Sequence, residues 1–150
     1  FTEGRYASIA QLRHKGRTFI LIKPTTYMNL SGKAVNYWMQ AEKIPVENVL
    51  VVVDDIALPF GLLRMRGKGS DGGHNGLKDI ANVLGSDAYA RIRMGIGNEF
   101  GKGQQVDYVL SEWSASEAEQ LPVFIGKAAE AVLSFGTIGL ARTMNLFNTK

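Results

Sequence analysis

The chain has 150 residues, 45% of them hydrophobic and 21% charged, with a formal net charge of +3 and no cysteine. That composition suits a compact globular domain rather than a disordered or low-complexity chain, and it excludes disulfides, thiolate metal sites and cysteine nucleophiles. Two histidines, His14 and His74, cannot build a zinc site by themselves, and a mild positive charge tolerates a polyanionic partner without establishing one.

Phe1 is not an initiator methionine and no signal peptide precedes it, so the chain, one domain over residues 1–150, reads as a fragment or as the ordered part of something longer. Arg5 to Leu12 alternates as a strand, His14-Lys15-Gly16 is a turn, and Arg17 to Lys23 is a second strand, which together make a hairpin. Pro24 stops regular structure. Ser31 is placed to N-cap a helix running to about Ala41, with Val35, Trp38 and Met39 at helical spacing, and Pro45 follows as a breaker. Val49 to Val53 is continuously apolar and mostly β-branched, as suits a central strand buried on both faces. It is also the longest apolar run that catches the eye, and it is far too short to span a membrane.

After Asp54-Asp55 comes the short turn Leu58-Pro59-Phe60-Gly61, then an alternating strand, Leu62 to Arg66. So short a turn predicts a hairpin, because a parallel crossover needs more chain. Gly67 to Gly73 is a glycine-rich loop. Asn75 to Leu84 reads as a helix with Gly85 as its C-cap, and Arg91 to Ile96 as another strand. Gly97 to Gln105 is a polar loop. Ser114 with Glu117 forms a capping-box pattern, and Leu121, Phe124, Ile125, Ala128, Val132 and Leu133 mark one face of a long helix. Gly136 and Gly139 interrupt it before a last helix, Ile138 to Leu146. Interleaved strands and helices predict α/β, a single mixed, twisted sheet flanked by helices.

Four constellations could carry chemistry. Asp54-Asp55 lies at the carboxyl end of the most apolar strand, where ligands of open α/β sheets bind; a carboxylate there can orient a histidine, bind a metal or cap a helix. In the loop, Gly67, Gly69 and Gly72 match GxGxxG, which keeps a nucleotide-binding oxidoreductase as a rival, but the preceding strand carries Arg64 and Arg66 and no acidic residue ends the next strand. The loop offers close backbone approach to a polar ligand at a helix N-terminus. His74 and Asn75 stand at its mouth, either to hold a water or an amide or simply to cap the helix. Tyr27-Met28-Asn29 makes a wall with one polar tooth, suited to a stacked base or sugar, although a lone Met more often plugs a core. Arg64 with Arg66, and Arg91 with Arg93, each share a strand face and could grip phosphates if those faces are exposed. No Ser sits in a nucleophile elbow.

Taken together, KPTTYMNLSGKAV (Lys23 to Val35), VVVDDIALPFG (Val51 to Gly61), GSDGGHNGLKDI (Gly69 to Ile80) and RIRMGIG (Arg91 to Gly97) resemble the bacterial-type peptidyl-tRNA hydrolase family, in its order and near its spacings. The resemblance implies a cytoplasmic enzyme, monomeric, without cofactor or metal and without membrane or obligate protein partner. Its reaction would be water attack on the ester between peptide and tRNA, which recycles tRNA from stalled ribosomes. It implies that Asp54 orients the catalytic histidine, that Asn29 and Asn75 hold water and substrate, and that His74 lines the gate of the cleft. Tyr27, Met28 and Gly73 would line the substrate site, and Arg66 and Arg93 would grip tRNA phosphate. It further implies that the leading strand and the general-base histidine lie before Phe1, so that residues 1–150 alone are nearly inactive. A non-catalytic RNA-binding relative of the same fold, like the splicing factors of plant organelles, is the alternative.

Overall fold

A computed structural model describes residues 1–97, 109 and 112–148. The described chain falls into two compact units, one built from residues 1–50 and 66–90, the other from residues 51–65 and 91–150.

In the first unit, β1 (Thr2–Glu3), β2 (Ala7–His14) and β3 (Arg17–Pro24) form a three-stranded sheet in the order β1-β2-β3. Both pairings are antiparallel. The β2–β3 register runs from Ala7 opposite Pro24 to His14 opposite Arg17. Only Lys15 and Gly16 remain for the turn, and both take positive φ, 51° and 77°, the backbone that a two-residue hairpin needs to match strand twist. A 3-10 turn, Met28–Leu30, leads into α1 (Ser31–Ala41). The expected N-cap is displaced by one residue. Leu30 occupies the cap position without a side-chain bond, and the Ser31 hydroxyl instead donates to the Met28 carbonyl at 2.7 Å, because the tight turn brings that carbonyl within reach.

α2 (Asn75–Leu84) ends where glycine says it should, with Gly85 at φ 73°. Leu77 and Ile80 point inward and Lys78 outward, the helical period of a one-sided helix. The buried Tyr89 hydroxyl donates to the Leu77 carbonyl at 3.0 Å. Ala34, Val35, Leu77, Ile80 and Tyr89 are this unit's principal buried side chains.

The second unit holds a separate three-stranded sheet in the order β4-β6-β5, from β4 (Leu50–Asp55), β5 (Leu63–Arg66) and β6 (Ala90–Gly95). The α/β class stands, but the single sheet becomes two, and the β4–β5 hairpin is corrected. Because β6 lies between them, the chain from 56 to 62 steps across two strand spacings, roughly 10 Å, which so short a segment can still span. The Gly95 amide donates to the Leu62 carbonyl (2.8 Å), Ile96 to Asp55 (3.0 Å) and Gly97 to Leu58 (2.9 Å), so this connection lies directly against the end of β6.

Among the described residues β4 is an edge of its sheet rather than a centre. That explains why Val52 is exposed and Val51 and Val53 are only half-buried, against the expectation of burial on both faces. Arg91 also departs from expectation: it is among the largest fully buried side chains, 1% exposed, so Arg91 and Arg93 do not form a solvent-facing pair. Leu63, Met65, Ile92 and Phe124 fill the core here.

Ser114 and Glu117 form the capping box of α3 (Ala115–Ile138). Phe124 and Ala128 are buried on its marked face, whereas Ile125 is 52% exposed. The helix passes through Gly136 without a break and stops at Gly139, φ 89°, before α4 (Leu140–Phe147). By length and composition α3 is long and apolar enough to cross a membrane, with only 17% of its most apolar window buried. No long unbroken apolar run marks it in the sequence, because Lys127 and Glu130 punctuate a stretch that Ala, Val and Phe keep apolar on average. The polar loop expected over Gly97 to Gln105 lies outside the described residues from position 98 onward.

Candidate active site

In the first unit the chain leaves β3 at Pro24 and enters the 3-10 turn through Tyr27, whose backbone is extended (φ −60°, ψ 153°). This throws the Tyr27 ring into solvent, 83% exposed, with Met28 at 55%. Asn29 is exposed too. Met28 does not plug a core: its Sδ rests on the first turn of α2, so close that a Cβ at Gly76 would stand 2.8 Å from it and 2.9 Å from His74 Cε1. Gly76 is thus a glycine of close approach. Asn29 directly follows Met28 and Asn75 directly precedes Gly76, so the contact brings the backbones of these two exposed residues near one junction.

The glycine loop delivers α2 to this junction. Asp71 Oδ1 accepts from the Gly73 amide (2.8 Å) and the Asp71 carbonyl from the His74 amide (2.9 Å), while Gly72 and Gly73 take positive φ. The helix cap is His74 rather than Asn75. His74 Nδ1 accepts from the amides of Gly76 (3.1 Å) and Leu77 (3.3 Å). An Nδ1 that accepts from two amides carries no proton, so any N–H of this ring lies on Nε2. Asn75 is therefore the first helical residue, half released from capping and exposed.

This gives a test that separates capping from chemistry. His74→Ala is expected to lose about 1 kcal/mol of stability, and His74→Asn, a good cap, to recover most of it. Denaturant midpoints check the pair; equal midpoints for Ala and wild type would remove the cap from the argument.

A second tie, which sequence reasoning missed, fixes α1 against α2. The Gly32 amide, one of the donors a helix start leaves without an intrahelical partner, donates to Asp79 Oδ2 at 2.7 Å. Gly32 allows the approach: a Cβ there would meet the Asp79 carbonyl at 2.7 Å and Val83 Cγ2 at 2.8 Å. The only sequence signal was a glycine in an otherwise good helix, which usually marks close packing.

In the second unit the two carboxylates of the Asp pair separate in role. Asp55 Oδ1 accepts from the Ala57 amide (2.8 Å) and Oδ2 lies 3.6 Å from an Arg93 guanidinium nitrogen, with both side chains about six-sevenths buried. Asp55 thus shapes the turn and holds Arg93. Asp54 is half-buried at the same strand end. Arg66 is exposed at the end of β5 and Arg64 is half-buried.

The family description Peptidyl-tRNA hydrolase matches residues 2–150. The chain is 62% identical over 146 residues to the peptidyl-tRNA hydrolase of Cytophaga hutchinsonii, covering 97% of this chain and 78% of that protein. To that of Porphyromonas gingivalis it is 58% identical over 148 residues, covering 99% and 80%. Among solved structures, a peptidyl-tRNA hydrolase in complex with N-propanol superposes with a TM-score of 0.87 at 28% identity, covering 96% of this chain and 73% of that one. The peptidyl-tRNA hydrolase of Acinetobacter baumannii gives 0.83 at 27%, with the same coverage. The chain spans about four-fifths of the length of these curated relatives. By a match that runs through both units, this chain belongs to the peptidyl-tRNA hydrolase family.

Proposed function

We infer that this chain hydrolyses peptidyl-tRNA, cutting the ester between the peptide's C-terminal carbonyl and the terminal ribose of the tRNA. The observation that carries the reading, beside family membership, is the Met28–Gly76 contact that sets Asn29 and Asn75 at one junction beside an exposed Tyr27. Two carboxamides offer donors and acceptors together, which is what positioning a water and a substrate carbonyl requires. In this reading Asn29 and Asn75 hold water and substrate, and Tyr27, Met28 and Gly73 line the site. His74 lines the gate, and Asp54, half-buried at the end of β4, orients the catalytic histidine. Arg66, exposed at the end of β5, contacts tRNA phosphate, and Arg93, mostly buried against Asp55, does so only at its exposed edge. The reaction takes place in the cytoplasm, where its substrate is made.

The finer part of the proposal is that the general base is a histidine outside residues 1–150. In support, His74 Nδ1 accepts from two amides at the start of α2 and so is not free to take a proton, and His14 sits in the β2–β3 hairpin opposite Arg17. Turnover by residues 1–150 equal to that of a longer form would refute this part.

The residue roles are tested in a form that turns over without added metal. Asn29→Ala and Asp54→Asn should each slow release of peptide about tenfold or more, with unchanged unfolding midpoints. Normal turnover in both would sink the assignment.

A further inference from the structure

A cleft of about 780 Å³ opens on the first unit between α1, α2 and the turn before β2, lined among others by Tyr6, Lys33, Asn36, Tyr37 and Gln40. It begins at Leu30, the residue after Asn29, and so adjoins the candidate active site without belonging to it.

The turn before β2 is shaped to present Tyr6. Tyr6 has φ 63°, a conformation that costs a bulky residue of order 1–3 kcal/mol and persists only when its surroundings enforce it. They do: Gly4 N donates to the Ala7 carbonyl (2.9 Å), Thr25 N to the Tyr6 carbonyl (2.9 Å), and Trp38 Nε1 to the Arg5 carbonyl (2.8 Å). The Tyr6 ring then stands edge-on to Tyr37, centroids 5.6 Å apart. Arg5 lies 5.2 Å from the Tyr6 centroid and 5.5 Å from that of Tyr37, and Lys33 lies 5.0 Å from Tyr6. The Arg5 guanidinium donates to the Tyr6 phenol oxygen at 3.3 Å, which holds the hydroxyl below the usual tyrosine range.

Two cations therefore flank one ring. A cation–π contact orients a cation but does not neutralise it. The carboxylate in the lining, Asp79, turns Oδ2 to the Gly32 amide and keeps its charge, so two cations against one anion leave this place net positive. From Lys33 the polar stripe continues along α1 through Asn36 and Gln40, positions three and four apart that share a helix face. Paired cations beside aromatic rings, followed by a row of amides, suit a phosphodiester chain: phosphates take the cations and bases take the rings. A peptide would use the rings but leave two positive charges unmatched.

We propose that this cleft is a second contact surface for the RNA of the substrate, with Arg5 and Lys33 taking a phosphate beside Tyr6. The proposal rests on the reading of the chain as a peptidyl-tRNA hydrolase.

The test compares the full-length protein with its Arg5→Ala/Lys33→Ala form and, separately, with Tyr37→Ala, using deacylated tRNA as the binding probe. The double variant should bind roughly fivefold or more weakly, and the slope of log affinity against log salt should fall by about 1 to 2. KM for peptidyl-tRNA should rise while kcat holds, and a peptidyl ester of adenosine alone, which lacks the RNA chain, should be turned over as before. Tyr37→Ala should weaken binding with no change in salt slope. Equal tRNA affinity and equal slope in wild type and double variant would overturn the proposal, as would binding of poly-glutamate that the double variant loses while its tRNA affinity stays that of the wild type, which assigns the cleft to an acidic protein. Failure of the functional reading looks different: the wild type itself would neither hydrolyse peptidyl-tRNA nor bind tRNA.

Discussion

Gly95→Ala should cost about 3 kcal/mol of stability or more, the upper end of what overpacking does to a well-packed interior. The reason lies in the crossing at the end of β6. A Cβ at Gly95 would collide with the carbonyl oxygen of Pro59 and stand 2.9 Å from both Cβ and carbonyl oxygen of Leu58. These atoms belong to the backbone or stem directly from it, so no rotamer change relieves the contact. The connection cannot retreat either, because Gly95, Ile96 and Gly97 each donate an amide hydrogen to a carbonyl between Asp55 and Leu62. Moving the chain breaks that set. Equilibrium denaturation measures the effect; a midpoint like that of the wild type would mean that the crossing yields easily, and the account of why a glycine ends this strand would fail.

Asp79→Ala comes second, with an expected loss of about 2–3 kcal/mol, the range for a hydrogen bond to a charged group whose donor is left behind in a buried place. Gly32 is buried, so its amide finds no ready water when Oδ2 is gone. The carboxylate also complements the positive end of α1. Asp79→Asn keeps an oxygen acceptor and loses only the charge, so it should recover about half of the loss. Because α1 follows directly on the turn that carries Asn29, and Asp79 lies one helical turn beyond Asn75, slackening this tie should also lower kcat. KM for the RNA should change less. Unfolding midpoints in the order wild type, Asn, Ala, with kcat following the same order, are the expected result. An Ala variant as stable and as fast as wild type would show that the tie contributes nothing.

Local features were the most legible in the sequence. The hairpin around Lys15-Gly16, the helix from Asn75 to Gly85 and the capping box at Ser114 each depend on residues a few positions apart, and each appears where the pattern puts it. What the sequence concealed depends on distant neighbours. Nothing in LPFG announces that a third strand, formed from residues 90–95, comes between β4 and β5. Alternation in RIRM marks two arginines on one face but not which face is covered, and Arg91 proves buried. Of the Asp pair, only coordinates separate the one that closes a turn and holds Arg93 from the other. At the candidate site, residue types pointed to Asn29 and Asn75, but the contact between the segments that carry them runs through Met28 and a glycine, and glycine carries no chemical label. The helix cap shifted from Asn75 to His74 because an imidazole nitrogen serves as acceptor as well as a carboxamide does, which leaves the better hydrogen-bonding side chain available to a ligand.

At the far end of the described chain, Asn148 Oδ1 accepts from the Met65 amide at 2.6 Å and its Nδ2 donates to the Met65 carbonyl at 2.7 Å. A single carboxamide thereby stands in for a neighbouring strand at one rung of β5, which among the described residues is an outer strand of its sheet. An outer strand with open rungs is a template on which other chains can polymerise. Here the template is blunted by a residue just past the last helix, so fusion partners or trimming at this end bear on whether the protein stays dispersed at high concentration.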